Sequence, residues 1–421
     1  RRNFNRKFQG VVPAHKALAR SLNVPFVFLL KAYGYEKFHH KLKTAGMTSL
    51  NKPSSHYGLS LILGGAESSL WEITSLYAGM ARSQANYFKR PAGKQYSDSD
   101  YFPNYYLAGK KEAGDSPLKD KGKFGAGAIH QMLQAMKLVV RPDEETGWES
   151  FASSRSIAWK TGTSYGFKDA WAIGITSKYV VGVWLGNADG EGRPELTGVK
   201  AAAPLLFNIF ESLDMSKPLP APVGGHVLFQ VCTSSGFKAG LHCETIVQES
   251  LPAIAERAPA CPYHQVVNLD QGQSRQVNSS CYPVNQMVQK KWFVLPTTEA
   301  SYYKQYNHQY VEPPEFMLSC ADNAIPMEFM ELVYPRNYTR LYIPTELDGT
   351  KGEAVFEVAH RSTTATIYWH LDEVYIGETS TLHQMGLQPT KGKHKLHLVD
   401  DKGRELSLSF EVISDQKALN Y

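Results

Sequence analysis

The chain has 421 residues, of which 43% are hydrophobic and 20% charged, with a formal net charge of +5. These proportions exclude wholesale disorder and a fibrous architecture, and so slight and scattered a positive charge gives no footprint for nucleic acid. Such a length divides into two or three domains, each able to bury its own core. No stretch reaches the ~18 apolar residues of a membrane helix. The chain opens on Arg1-Arg2-Asn3-Phe4-Asn5-Arg6-Lys7-Phe8 with no lead-in, which reads as the interior of a longer polypeptide.

Residues 1–213 read as mixed α and β. Pro13–Ser21 has helical spacing and is expected to stop at Asn23-Val24-Pro25. Glu67–Arg82 places Leu70, Ile73, Leu76, Tyr77 and Met80 on one face and predicts the strongest helix. Residues 83–127 are polar and read as a long surface excursion, followed by an amphipathic helix over Gly127–Val139. Ser156–Thr161, Ala170–Thr176 and Tyr179–Leu185 then read as consecutive strands, the last two joined by a tight turn at Thr176-Ser177-Lys178. A helix over Pro204–Leu213 closes this part. Pro218-Leu219-Pro220-Ala221-Pro222 begins a semi-rigid linker. Residues 226–325 show little periodicity and predict a loop-rich module. Beyond Pro326 come short strands, at Arg340–Ile343, Ala354–Ala359, Thr366–His370, Val374–Ile376, His394–Val399 and Leu406–Ile413. Asp348-Gly349, Lys391-Gly392 and Lys402-Gly403 punctuate them, the pattern of an immunoglobulin-like sandwich.

All five cysteines, Cys232, Cys243, Cys261, Cys281 and Cys320, fall in the middle module. Four could form two disulfides, leaving one thiol. Cys261-Pro262-Tyr263-His264 has the spacing of zinc ligands, so a metal site is the rival, and spacing alone does not choose.

The sharpest local motif is Lys160-Thr161-Gly162-Thr163 at the end of a predicted strand, a pattern expected by chance on the order of once in forty such chains. An edge strand offers backbone N–H groups to an extended peptide, and a glycine lets it approach closely. The Lys160 ammonium and the hydroxyls of Thr161 and Thr163 suit an anionic terminus. Serine enzymes that recognise penicillin combine such a motif with Ser-x-Asn and Ser-x-x-Lys. Ser-x-Asn occurs at Ser21-Leu22-Asn23 and at Ser49-Leu50-Asn51; the first ends a predicted helix, which presents both side chains on a loop. Ser-x-x-Lys begins at Ser49, Ser116, Ser235, Ser301 and Ser414. Only Ser49, with Lys52, lies in the right region, and it follows Ser21, which inverts the usual order.

The stretch Lys160–Gly190 resembles the transpeptidase domain of class A penicillin-binding proteins. Ala17–Val27 is similar to the segment that holds that family's Ser-x-Asn, Tyr57–Met80 to the helix pair after it, and Leu196–Phe210 to its closing helix. The linker, the cysteine module and the sandwich together resemble the 1C branch. The resemblance implies an α+β fold: a transpeptidase domain over 1–213, a linker and cysteine module over 214–325, and a β-sandwich over 326–421.

It also implies a reaction, acyl transfer from D-Ala-D-Ala stem peptides through a serine acyl-enzyme. Ser21 would relay a proton to the leaving amine, and Asn23 would hydrogen-bond the donor's amide. Lys160 would support that proton path. Thr161, Gly162 and Thr163 would hold the terminal carboxylate, and the N–H of Thr163 would serve the oxyanion hole. In the family, Ser-x-x-Lys precedes Ser-x-Asn by tens of residues. The nucleophile is therefore expected upstream of Arg1, with the glycosyltransferase domain and the membrane anchor, and this chain alone is expected not to form a stable acyl-enzyme. Lys168 stands where the family usually has Arg and lacks the bidentate fork.

The implied partners are peptidoglycan stem peptides and glycan, β-lactam antibiotics, and cell-wall synthesis proteins at the sandwich, with no nucleic acid. The implied place is the periplasmic face of the bacterial inner membrane. No cofactor is expected, and no metal is assigned among the site residues. Two rival readings are a non-catalytic scaffold that keeps a relic cleft, and a D,D-carboxypeptidase or β-lactamase with water as acceptor. Trp159, Trp171 and Trp184 are expected in core or cleft wall, and the aromatics from Trp292 to Tyr310 in packing rather than on a glycan surface.

Overall fold

The computed structural model describes residues 12–101, 116–139, 157–213, 226–323, 328–335, 338–343 and 352–413. The opening basic run, residues 102–115 of the polar excursion, the Pro-rich linker, Asp348-Gly349 and Ser414 lie outside them. The chain forms two units, one from Val12–Val231 with Val247–Ala258, the other from Cys232–Ile246 with Pro259–Tyr421.

The first unit opens with helices α1 (Ala14–Ala19), α2 (Asn23–Tyr33), α3 (Tyr35–Thr44) and α4 (Ser54–Tyr57). Asn23-Val24-Pro25 does not merely end α1, as its sequence suggests; it opens α2. The first turn of a helix needs no N–H from Pro25, so the proline fits there. Helix α5 (Leu70–Tyr87) begins at a capping box, in which the Ser69 side chain accepts from the Glu72 N–H and the Glu72 carboxylate returns to Ser69. Helix α6 spans Ala126–Met136.

Strands β1 (Ala158–Thr163), β2 (Asp169–Ile175) and β3 (Val180–Gly186) then form an antiparallel sheet in that order, so β1 is an edge strand among the described residues. Alternation along β1 decides what each face buries. Trp159 packs edge-to-face on Phe207 of α7 (Ala203–Glu211), its ring centre 5.1 Å away, in a core with Ala172, Leu206 and Phe210. Ala158 joins Ile175 on the other face against Leu133 and Ile129 of α6 and Met80 of α5. Helix α5 lies so close to β3 that a Cβ on Gly182 would fall 2.1 Å from Thr74 Oγ1. Strands β4 (His226–Cys232) and β5 (Ile246–Pro252) form a separate two-stranded ladder.

In the second unit, β6 (His264–Leu269) and β7 (Val288–Phe293) pair as an antiparallel ribbon ahead of α8 (Thr297–Tyr306). The sequence predicts a loop-rich module here. Only Val267 and Leu269 of the ribbon are buried, so little apolar alternation marks it. Cys281 and Cys320 form a disulfide across 39 residues, worth about 4 kcal/mol by loop closure.

Strands β8 (Met330–Tyr334), β9 (Arg340–Tyr342), β10 (Ala354–His360), β11 (Thr366–Leu371), β12 (Val374–Ser380), β13 (Gln384–Leu387), β14 (Gly392–Asp400) and β15 (Glu405–Ile413) complete the chain. They form two sheets, β13-β10-β8 and β12-β11-β14-β15-β9. Phe356 of the first meets Phe410 of the second with ring centres 5.0 Å apart, in a core with Trp369, Leu396 and Leu398. The α+β architecture with a C-terminal β-sandwich is thus the one the sequence predicts. Strands β8 and β13 are not anticipated by the sequence reading.

Candidate functional site

Helix α1 ends in a Schellman motif. The Leu22 N–H donates to Ala17 O at 3.0 Å, and the Ser21 N–H to Leu18 O at 3.0 Å. The residue between these bonds must be left-handed, a position glycine usually holds, and here it is Ser21 at φ +50°. A serine held in this strained conformation is a candidate for function. The turn is anchored by Ala17, Ala19 and Leu22, all buried.

Strand β1 supplies the opposite wall. Lys160 lies on the same face as Ala158, toward α5 and α6, and half-buried. Its Nζ donates to Ser21 Oγ, 139 residues away in sequence, and to Thr161 O at 2.7 Å. The two segments that sequence reading singled out therefore meet atom to atom. Asn23, the first residue of α2, sits two residues beyond this contact and is half-buried.

Past Lys160, the strand edge is open among the described residues. Gly162 is exposed, and a Cβ there would make only an ordinary contact of 3.6 Å with Trp171. The packing beneath therefore does not require a glycine at this position. The Ser164 N–H donates to Asp169 O at 3.0 Å. N–H directions alternate along an antiparallel pair, so the Thr163 N–H points away from β2. Thr163 Oγ1 accepts from the Gly198 N–H at 3.0 Å and keeps its own proton to give. Thr161 is 7% exposed, with its Cβ against Gly198.

Gly198 is a residue the sequence reading passed over. A Cβ there would lie 2.5 Å from both Gly162 O and Trp171 O, so only glycine lets this segment brace β1. The signal was faint: Thr197, whose side chain caps the turn by accepting from Lys200 N, followed by a glycine.

Ser49 and Lys52 are arranged differently. Ser49 Oγ donates to Glu72 Oε2 at 2.5 Å, and the Ser49 N–H and Thr48 Oγ1 converge on Glu72 Oε1. Burial pushes the Glu72 carboxyl up, but these hydrogen bonds outweigh it and hold it at about 2. Ser49 thus faces a carboxylate too weakly basic to take its proton readily. The Lys52 N–H donates to Tyr57 Oη at 3.3 Å. Ser235 Oγ donates to a cysteine sulfur and Ser301 Oγ to Thr298 O, while the Ser116 carbonyl accepts from Ser97 Oγ. Lys168 is exposed in the turn between β1 and β2.

Of the tryptophans, Trp159 is core, Trp171 is half-buried and Trp184 is 38% exposed, its Nε1 donating to Asp169 Oδ1. Phe293, Tyr303 and Tyr310 pack on one another beside a concavity of about 760 Å³ that Trp292 also lines.

Residues 326–410 match the Penicillin-Binding Protein C-terminus Family. Over 208 residues, 49% of this chain, the sequence is 35% identical to penicillin-binding protein 1C of Escherichia coli. The sequence is thus similar to penicillin-binding proteins over about half of its length and again in its C-terminal part. Penicillin-binding protein 1B of Vibrio cholerae is 28% identical over 52% of the chain. The matched part spans 24% of the Escherichia coli protein and 27% of the Vibrio cholerae one. A crystal structure of penicillin-binding protein 1A from Haemophilus influenzae superposes over 62% of this chain and 43% of its own, with 14% identity and a TM-score of 0.45. Among the described residues, no helix is long and apolar enough to cross a membrane.

Proposed function

We propose that residues 1–213 carry the second and third motifs of a D,D-transpeptidase site, in a bifunctional peptidoglycan synthase of the 1C type. The contact between Lys160 Nζ and Ser21 Oγ carries this reading. A hydroxyl coordinated by an ammonium in a half-buried cleft can pass a proton without a large change in charge. In the proposed reaction a serine attacks the carbonyl carbon of the D-Ala-D-Ala bond. The tetrahedral oxyanion forms against the Thr163 N–H and collapses as the C–N bond breaks, and D-Ala leaves with a proton delivered through Ser21. The amine of a neighbouring stem peptide then attacks the acyl-enzyme, the ester C–O bond breaks as the cross-link forms, and the amine's proton passes through Ser21 to the released serine oxygen.

Asn23 would hydrogen-bond the donor's amide. The donor's carboxylate would lie along the open edge at Gly162 and take the Thr163 hydroxyl. Thr161, buried against Gly198, would contribute chiefly through its backbone. The hydrogen bonds made by Ser49, Ser235 and Ser301, none of them to a residue of β1 among the described residues, support an attacking serine other than these three. β-Lactams, which mimic the donor, would occupy the same groove. We further propose residues 214–325 as linker and cysteine module, and 326–421 as a domain that holds cell-wall synthesis proteins. The site would work at the periplasmic face of the bacterial inner membrane, on an anchor outside this chain.

The test is acylation of the full-length gene product by fluorescent penicillin. Lys160→Met and Thr163→Val should each slow labelling by about a hundredfold or more. Wild-type rates in both variants, or covalent labelling of Ser49 in the isolated chain, would overturn the proposal.

A further inference from the structure

Three cysteines stay reduced beside the Cys281–Cys320 disulfide: Cys232, Cys243 and Cys261. The reading with two disulfides therefore gives way to one disulfide and a thiol cluster. All three sulfurs crowd a single ring nitrogen. His264 Nδ1 lies 3.5 Å from Cys232 Sγ, 3.6 Å from Cys243 Sγ and 3.4 Å from Cys261 Sγ. One imidazole nitrogen offers one proton or one lone pair, so it cannot serve three thiols at once. The four ligand atoms lie within 4.8 Å of one another. A shared central atom accounts for the arrangement.

We propose that Cys232, Cys243, Cys261 and His264 form a structural zinc site. Zinc binds thiolate at ~2.3 Å and imidazole at ~2.0–2.1 Å, and a tetrahedron of those bonds has sulfur-to-nitrogen edges of about 3.6 Å. The observed separations match that edge. The sulfurs are also set up as acceptors, as thiolate ligands are. Cys261 Sγ accepts from Ser235 Oγ at 3.2 Å, and Cys243 Sγ from the Gly240 N–H at 3.3 Å. Four protein ligands fill the tetrahedron and leave no open position for substrate, so the role is structural rather than catalytic.

The metal has mechanical work to do. Cys232 and Cys243 flank the loop that follows β4, and Cys261 and His264 lead into β6. The backbone already gathers these strands of chain, with the Cys261 N–H donating to Lys238 O at 2.8 Å and the Cys232 N–H to Phe237 O at 2.8 Å. Few large side chains are buried here, and Phe293 lies against His264 with ring centres 4.9 Å apart. Binding releases three thiol protons to solvent and leaves a zinc centre of one negative charge, with no oxidant or reductant needed. It also keeps the three thiols from pairing.

The test is metal analysis of the purified full chain by mass spectrometry, together with its intact mass. One zinc per chain is expected, with a mass that shows a single disulfide. Cobalt exchanged into the site should give the intense thiolate charge-transfer bands of a tetrahedral complex. Cys243→Ser removes a ligand and should weaken zinc binding by more than the ~10- to 100-fold typical of an outer partner, whereas Ser235→Ala, which leaves all four ligands, should fall within that range. A folded chain without zinc, a second disulfide among the three cysteines, or unchanged zinc affinity in Cys243→Ser would overturn the assignment.

Discussion

Ser21 lets the backbone and the hydroxyl be tested apart. Its left-handed conformation, φ +50°, brings Cβ close to the carbonyl oxygen and costs about 1–2 kcal/mol in any residue but glycine. Ser21→Ala keeps that strain and deletes the hydroxyl. Ser21→Gly deletes the hydroxyl and releases the strain, at an entropic cost of about 0.5–1 kcal/mol. The glycine variant should therefore be more stable than the alanine variant by roughly 0.5–1 kcal/mol.

The lost hydroxyl contributes equally to both. A buried hydrogen bond to a charged group is worth about 1.5–3 kcal/mol, but Lys160 is half-buried and keeps Thr161 O, so about 1 kcal/mol is expected here. Ser21→Ala should then lose about 1 kcal/mol, and Ser21→Gly should sit near wild type. Calorimetry should separate the two variants by about 1–4 °C in the transition of the first unit. Penicillin acylation of the full-length gene product should collapse equally in both. Equal melting temperatures would refute the strained helix end. Normal acylation in the stable glycine variant would refute any part for the Ser21 hydroxyl, with misfolding excluded as an explanation.

Other substitutions probe the supports of the site. A Cβ at Gly198 meets two fixed carbonyl oxygens at 2.5 Å, so Gly198→Ala should cost about 1–3 kcal/mol in denaturant titration and slow acylation through the displaced β1. Glu72 is held at about 2 in the folded chain against an ordinary 4.5, so its stabilisation is full above 4.5 and is lost as pH falls toward 2. Glu72→Gln should destabilise by roughly 1 kcal/mol near neutral pH after allowance for its partial exposure, and the gap should close in melts approaching pH 2. Asp100 is 2% exposed and takes both terminal nitrogens of Arg90, at 2.7 and 2.8 Å; Asp100→Ala should cost about 3–5 kcal/mol, read from the denaturation midpoint.

What the sequence disclosed follows from the physics of each element. The strands of the first sheet are short, and the central one, β2, is buried along nearly its whole length, so its apolar run stands out. The Lys160–Thr163 motif is local and legible as such. The serine of Ser-x-Asn was found from its context, the end of a helix, but its left-handed backbone was not, because a Schellman motif with serine in the glycine position leaves no mark in composition. The cysteine module was the least legible. Only Cys261 and His264 are close in sequence, while Cys232 and Cys243 reach them through folding of the intervening loops, so spacing could not separate a second disulfide from a metal site. Likewise neither the cap that Glu72 makes nor its acceptance from Thr48 and Ser49, a contact across more than twenty residues, was read from the sequence.

The placement of Lys160 is a consequence of packing that no single motif states. Along β1, Trp159 and Lys160 face opposite ways, one into the core against Phe207, the other toward Ser21. A strand shifted by one residue would exchange them, placing an ammonium in a core where Trp159 is 1% exposed and an indole where the hydroxyl of Ser21 waits. Neither exchange is tolerable, because an unpaired buried charge costs far more than one strand's register can return. The alternation that buries Trp159 therefore holds Lys160 in the groove, and Ala19, which ends α1 two residues before Ser21, is buried in that same core. Core and site are set by one register, so substitutions that loosen the packing around Trp159 should reach the chemistry at Lys160 before they unfold the chain.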